Sequence, residues 1–251
     1  MRRIRMTVEY EGGGFEGWQL QPAGRTVQGV LEEGIGKVTG DRARVHGAGR
    51  TDAGVHAMGQ VCHFDSNTGI AVEELERALN AVLPEDLGVV AVEEAPPGFD
   101  ARRDAVSKTY LYRVLNRSAP SPLRQGVTWH RRRLLDLEQM RAAAAPLVGK
   151  HDFATFRGAP RGPPPEETTV RSLDRLEVTR ERDEIHFRAV GRSFMRYMVR
   201  NLVGTLVEVG RGRWPAGEML ALLESGDRSR AGPTAPAWGL CLVRIDYAGF
   251  G

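Results

Sequence analysis

Residues 48–57 read AGRTDAGVHA and place one aspartate, Asp52, two positions after Arg50 in a short polar stretch. Gly47, Gly49 and Gly54 relax the backbone around Asp52, so the chain can turn sharply and a ligand can approach closely. In a locally extended segment, residues two apart point the same way, and Arg50 and Asp52 then share one small surface. The same residues admit a structural alternative, because Thr-Asp before Ala-Gly also suits an Asx-turn or a helix N-cap.

Two other segments carry side chains with chemical potential. The strand pattern KTYLYR (108–113) sets Tyr110 and Tyr112 on one face. Tyrosines at this spacing ordinarily pack within a sheet. One exposed in a cleft could instead stack on a nucleobase and offer its hydroxyl to a proton; packing is the default for Tyr112. In the helix pattern GRSFMRYMVRNLVG (191–204), a helical wheel gathers Met195, Met198, Val199, Leu202, Val203 and Leu206 into a buried arc. Arg200 falls at the edge of that arc. It must reach water or pair with a carboxylate, since an unpaired buried charge is too costly. With Asp52 as that partner, Arg200 becomes functional and holds the acid ionised at neutral pH.

The remaining inventory narrows the chemistry. The six histidines are scattered without metal-site spacing, so no metal is expected. No phosphate-binding loop, dinucleotide fingerprint or nucleophile elbow occurs in a fitting context. The reaction is therefore expected to run on Asp, Arg and Tyr without a cofactor. Cys62 and Cys241 form neither a disulfide framework nor a C-x-x-C motif, and Cys62 reads as a small core residue.

With 251 residues, 41% hydrophobic and 27% charged, the chain can build one large or two ordinary domains. No apolar run approaches bilayer length, and the N-terminal MRRIRMTVEY alternates where a signal peptide would be continuously apolar. A cytoplasmic protein without membrane attachment is expected. The net charge of +3 weakly favours an anionic partner. Of the 35 basic residues only Lys37, Lys108 and Lys150 are lysines. Arginine suits phosphate recognition and stacking on bases, although GC-rich codon usage produces the same excess. Runs such as Arg131-Arg132-Arg133 ordinarily form solvated faces.

Alternation at Ile4, Met6, Val8 and Tyr10 predicts a first strand, and Thr26 and Gly40 bracket a helix. Strands over 44–47 and 60–64 flank the AGRTDAGVHA turn, followed by a helix over 72–82 and a strand over 87–92. This order fits a split βαβ unit. The second half repeats the plan: a strand over 109–115, a helix over 137–148, strands over 173–178 and 185–190, helices over 194–209 and 216–223, and a strand over 240–245. APRGPPP (159–165) reads as an exposed loop. The expected fold is α+β: two similar α/β halves, split βαβ and ferredoxin-like, sharing a mainly antiparallel sheet with a central cleft. The halves are placed at 1–104 and 105–251.

Taken together, these blocks resemble the tRNA pseudouridine synthase A family. They are AGRTDAGVHA followed by GQVCHF, then FDAR before KTYLYRV, DFATFR and FMRYMVRNLVG. GFEGWQLQP, with Trp18 as an exposed aromatic, and APAWGLCLVRIDY extend the match over nearly the whole chain. The resemblance implies an isomerase that converts uridine to pseudouridine in the anticodon stem-loop of tRNA, at positions 38, 39 and 40. It also implies a homodimer, tRNA as partner and no cofactor or metal. By motif position, Asp52 matches the family's catalytic aspartate, Arg50 the arginine that enters where the target base leaves, and Tyr110 the tyrosine that stacks on the base. Arg200 matches the arginine paired with the acid. On this reading the first half carries the aspartate, and the second carries the paired arginine and the RNA-binding surface. Glu11-Gly12 departs from the family's more usual Asp-Gly.

Overall fold

In chain order the elements are β1 (Arg2–Tyr10), α1 (Val27–Thr39), β2 (His46–Gly47), β3 (His56–Ser66), α2 (Val72–Val82), β4 (Leu87–Ala95), β5 (Ala105–Leu115) and β6 (Trp129–His130). They continue with α3 (Leu137–Ala144), β7 (Gly149–Asp152), β8 (Val170–Leu173), β9 (Arg175–Glu181), β10 (Glu184–Gly191), α4 (Met198–Gly210), α5 (Met219–Glu224) and β11 (Leu240–Tyr247). The computed structural model describes residues 1–158 and 168–249; the APRGPPP segment lies outside the described residues. The chain divides into two compact units, Met1–Val106 with Cys241–Gly251, and Ser107–Leu240. Each is mixed α/β with a mainly antiparallel sheet. Among the described residues, no helix is long and apolar enough to cross a membrane.

In the first unit, β1 pairs antiparallel with both β3 and β4, and β11 joins the far side of β3 in parallel. The β1 alternation works as the pattern requires: Ile4, Met6, Val8 and Tyr10 are buried. On the opposite face, Arg3 holds Asp65 in a two-pronged pair at 2.8 Å, and Arg5 lies 4.9 Å from the centre of the Tyr247 ring. The Thr26 hydroxyl accepts the Gly29 N–H to open α1, and Gly40 ends it in the left-handed region at φ 74°. Cys62 is fully buried in β3, as its apolar neighbours suggest.

The second unit sets β10 antiparallel between β5 and β9, with β6 parallel to β5. Tyr110 and Tyr112 face Ala189 and Phe187 across the β5–β10 register. Three helices differ from the sequence expectation. The one expected over 216–223 is a 3-10 turn at Ala216–Glu218 that becomes α only over Met219–Glu224. The one expected over 137–148 leaves α-geometry after Ala144 and tightens into a 3-10 turn at Ala145–Leu147, where Pro146 has no N–H to continue the ladder. The one expected over 194–209 starts only at Met198, because Tyr197 takes φ 62° and no α-helix passes through a left-handed residue. Met195 therefore lies outside the helix and is only half-buried. The buried surface of α4 is also not an arc, since every residue from 201 to 210 is buried.

Burial on all sides forces polar groups inside α4 to find partners. Asn201 donates to the Phe156 carbonyl at 2.8 Å and accepts from Arg228 at 3.0 Å and Thr234 at 2.7 Å. The 232–235 segment presses so closely that a Cβ on Gly204 would lie 1.7 Å from the Pro233 carbonyl oxygen. Gly204→Ala is therefore expected to destabilise the protein by about 1–3 kcal/mol, the cost of overpacking a filled interior. Urea unfolding checks this, and an unchanged midpoint would contradict the close approach.

Candidate active site

The loop carrying Arg50 and Asp52 is fastened at nearly every residue. After β2, the Ala48 amide donates to the Val61 carbonyl at 2.8 Å, and the Gln60 side chain donates to the Gly49 carbonyl at 2.8 Å. Thr51 is buried, its hydroxyl 2.8 Å from the Tyr10 hydroxyl, while its carbonyl accepts the Trp18 N–H at 3.1 Å. The Val55 amide donates to the Asp52 carbonyl at 3.1 Å and closes a turn. Gly54 supplies the positive φ, 78°, that this turn requires at its third position. Each such bond contributes about 1 kcal/mol net, and together they remove the freedom that a glycine-rich loop would otherwise keep.

This anchoring decides where the side chains go. Thr51 points inward to Tyr10, whereas Arg50 is exposed and Asp52 half-buried. Burial alternates along 50–52 as an extended segment would require: exposed, buried, half-buried. The segment is a backbone hydrogen-bonded turn, with Arg50 exposed and Asp52 half-buried two positions apart. Sequence reasoning missed Thr51 and Tyr10 as the fasteners. Their signal was a hydroxyl residue between two charged ones and a tyrosine closing an alternating strand.

Trp18 corrects an expectation. It is 2% exposed, not an open aromatic surface. Its ring packs 6.4 Å from that of Tyr10, and a Cβ on Gly47 would come within 2.4 Å of the indole. Gly47 is small in order to admit this ring. Glu11 performs the turn role expected of an acid there, its carboxylate accepting the Gly13 N–H at 3.0 Å. The change from Asp to Glu leaves that turn capped.

In the second unit, Tyr110 is 8% exposed and meets the Phe194 ring edge-on, with centroids 5.1 Å apart at 81°. Tyr112 is fully buried and donates its hydroxyl to the Pro236 carbonyl at 2.9 Å; burial drives its pKa upward. It is a packing residue. Arg200 sits in the first turn of α4, where its Nε donates to the Ala235 carbonyl at 2.8 Å. Its guanidinium lies 4.8 Å from the Tyr197 ring centre, which Arg196 also approaches at 4.3 Å. A carbonyl and an aromatic face therefore aim Arg200. The backbone strain at Tyr197 is held by its surroundings: the Gly158 amide donates to the Arg196 carbonyl at 2.8 Å. The continuous helical pattern over 194–209 concealed Tyr197, because nothing in local propensity marks its left-handed backbone.

The fold thus places Arg50 and Asp52 on one fastened loop of the first unit. The second unit carries Tyr110 on β5 and Arg200 on α4, linked by the 194–200 segment through Phe194 and Tyr197. Against known proteins, the sequence pattern of a family described as tRNA pseudouridine synthase matches residues 6–102 and 143–248. The tRNA pseudouridine synthase A of Rhodospirillum rubrum is 47% identical over 250 residues, spanning 99% of this chain and 89% of its own. That of a Methylobacterium species is 47% identical over 248 residues, 98% of each chain. A Myxococcus xanthus protein of the same name is 47% identical over 247 residues, 98% of this chain and 92% of its own. A fastened acid–arginine loop and an aimed helix arginine thus lie in a sequence matched almost end to end, and the chain belongs to the tRNA pseudouridine synthase family.

Proposed function

We propose that this isomerase converts uridine to pseudouridine in the anticodon stem-loop of tRNA, at positions 38, 39 and 40, with Asp52 as the catalytic carboxylate. The observation that carries the reading is the presentation of Asp52: a half-buried acid beside an exposed arginine, on a loop fixed by Thr51 and Tyr10. Preorganisation of this kind is what a reacting carboxylate needs, since small misplacements cost large factors in rate.

The reaction breaks the N1–C1′ bond, turns the uracil and joins C5 to C1′. N1 gains a proton and C5 loses one, so no net oxidation or hydrolysis occurs. Attack of the carboxylate on C6, attack on C1′, and initial removal of a ribose proton all require Asp52 to be ionised. In this scheme Arg200 pairs with that carboxylate and keeps it charged. The target base is stacked in RNA and must be everted, at a cost of a few kcal/mol. Arg50, exposed on the loop, fills the space the base leaves, and Tyr110 stacks on the everted ring. Surface arginines contact phosphates and supply affinity that weakens with salt.

We further infer two similar halves on a split βαβ plan, 1–104 carrying the aspartate and 105–251 the paired arginine and the RNA-binding surface. The order β4-β1-β3, with β2 on β3, supports that plan for the first half. The proposed working form is a cytoplasmic homodimer acting without metal or organic cofactor. It lets one subunit hold the tRNA body while the other reacts.

Incubation with unmodified tRNA transcripts and position-by-position mapping of pseudouridine tests the assignment; product absent from 38–40 would refute the stated positions. Asp52→Asn is expected to abolish isomerisation while tRNA binding stays within about threefold, since the variant keeps size and loop bonds. Turnover like that of the wild type would remove Asp52 from catalysis. Tyr110→Ala is expected to lower kcat/KM about 10- to 100-fold, as stacking on a base contributes about 1–3 kcal/mol. Steady-state kinetics on one transcript measures this, and an unchanged value would exclude a base-stacking role.

A further inference from the structure

Residues 131–133 are three consecutive arginines that follow β6 in the second unit. With His130, Leu135 and Arg211 they line a cavity of ≈ 330 Å³, within the size range of small-ligand sites. A solvated arginine face needs no cavity and no fixed backbone, and this segment has both. Asn116, 2% exposed, donates to the Arg131 carbonyl at 3.0 Å and the Arg133 carbonyl at 2.8 Å, and accepts the Leu135 N–H at 3.1 Å. The Arg131 amide donates to the Leu115 carbonyl, and the Asp136 amide to the Gly210 carbonyl, each at 2.8 Å. The Arg131 guanidinium is set further by the Trp129 ring, 4.9 Å away.

The charges around the cavity do not balance. Glu208, 4% exposed, already holds Arg211 at 2.8 Å and Arg213 at 2.9 Å. Both cations also sit just past the C-terminal end of α4, where the helix dipole favours positive charge. Those two arginines are accounted for. Among the described residues, no carboxylate lies within ion-pair distance of Arg131, Arg132 or Arg133. Burial first, then Arg211 and Arg213, push the Arg131 pKa down against the opposing influence of Glu208. Like charges so close repel within a Debye length, and an anion entering the cavity would relieve that repulsion.

We propose that this cavity is a phosphate-binding site in which the forked N–H groups of Arg131, Arg132 and Arg133 hold the oxygens of a phosphate ester. Arg211 lies at the opposite end of α4 from Arg200, about 16 Å along the helix at 1.5 Å per residue. The site therefore engages a different part of a ligand from any base held near Arg200. Two sources share the chemistry: a backbone phosphate of the tRNA substrate, which rests on the function proposed above, and a free phosphate ester.

The test uses the full chain with Arg132→Ala and Arg133→Ala combined, two exposed side chains whose loss leaves the Asn116 bonds in place. Binding of an unmodified tRNA transcript is measured across salt concentrations, and inorganic phosphate and ADP are titrated calorimetrically. For the backbone source, the tRNA Kd rises about tenfold near 0.1 M salt and the log–log salt slope falls by about one. For a free ester, the wild type binds phosphate or ADP saturably, the variant does not, and tRNA binding is unchanged. No change in either measurement overturns the site. Should the double alanine variant melt early, Arg132→Lys with Arg133→Lys keeps the charge, removes the forks and must still weaken binding. Pseudouridine formation by the wild type is followed in parallel. Its absence would defeat the proposed function, while the phosphate titration still decides the cavity.

Discussion

A buried contact between two hydroxyl groups, Thr51 to Tyr10 at 2.8 Å, governs how the 48–55 segment presents its charged residues. Tyr10 ends β1, the strand held between β3 and β4, so its hydroxyl is fixed by the β1–β3 and β1–β4 pairing. Thr51 is held by that hydroxyl, and of the residues on either side Arg50 is exposed and Asp52 half-buried. Rigidity passes from sheet to loop through this pair and through Val61 and Gln60 of β3, which hold Ala48 and Gly49, with backbone bonds from Trp18 and Gly54 limiting what else can move. A loop of glycines gains by this route the precision usually supplied by regular elements.

The second unit solves a related problem with other means. Arg200 lies on a helix buried almost all round, where a cation is tolerated only if its directions are fixed and its charge compensated. The Ala235 carbonyl and the Tyr197 ring fix it. That ring is available because the chain takes a left-handed residue immediately before α4. Such strain costs of order 1–3 kcal/mol, and its position beside a motif arginine is where strain commonly accompanies function.

The arginine excess of the composition resolves into distinct uses once placed. Arg3 and Arg113 secure sheets by pairing with Asp65 and Glu184. Arg228 satisfies the buried Asn201. Arg211 and Arg213 neutralise Glu208 at a helix end. Residues 131–133 serve none of these roles, and they line a cavity on a backbone held by Asn116. Composition alone could not separate a genomic bias from a ligand site, because the difference lies in which guanidinium groups already have carboxylates.

Alternation in β1, the Thr26 and Gly40 caps and the Tyr110–Tyr112 face were legible from local pattern, since each depends on residues within one element. So was the family, whose motif blocks stand in order along the chain. Local pattern failed where a distant neighbour decides. Trp18 is buried because Gly47 and Tyr10 make room for it, α4 starts late because Tyr197 is held left-handed, and residues 201–210 are enclosed on every side. The sequence by itself determined which side chains are present and the periodicity that sorts them into strands and helices. Tertiary structure decided which of them are fastened, exposed or charge-balanced, because hydrogen bonds and ion pairs between residues far apart in sequence depend on distances that no local pattern encodes.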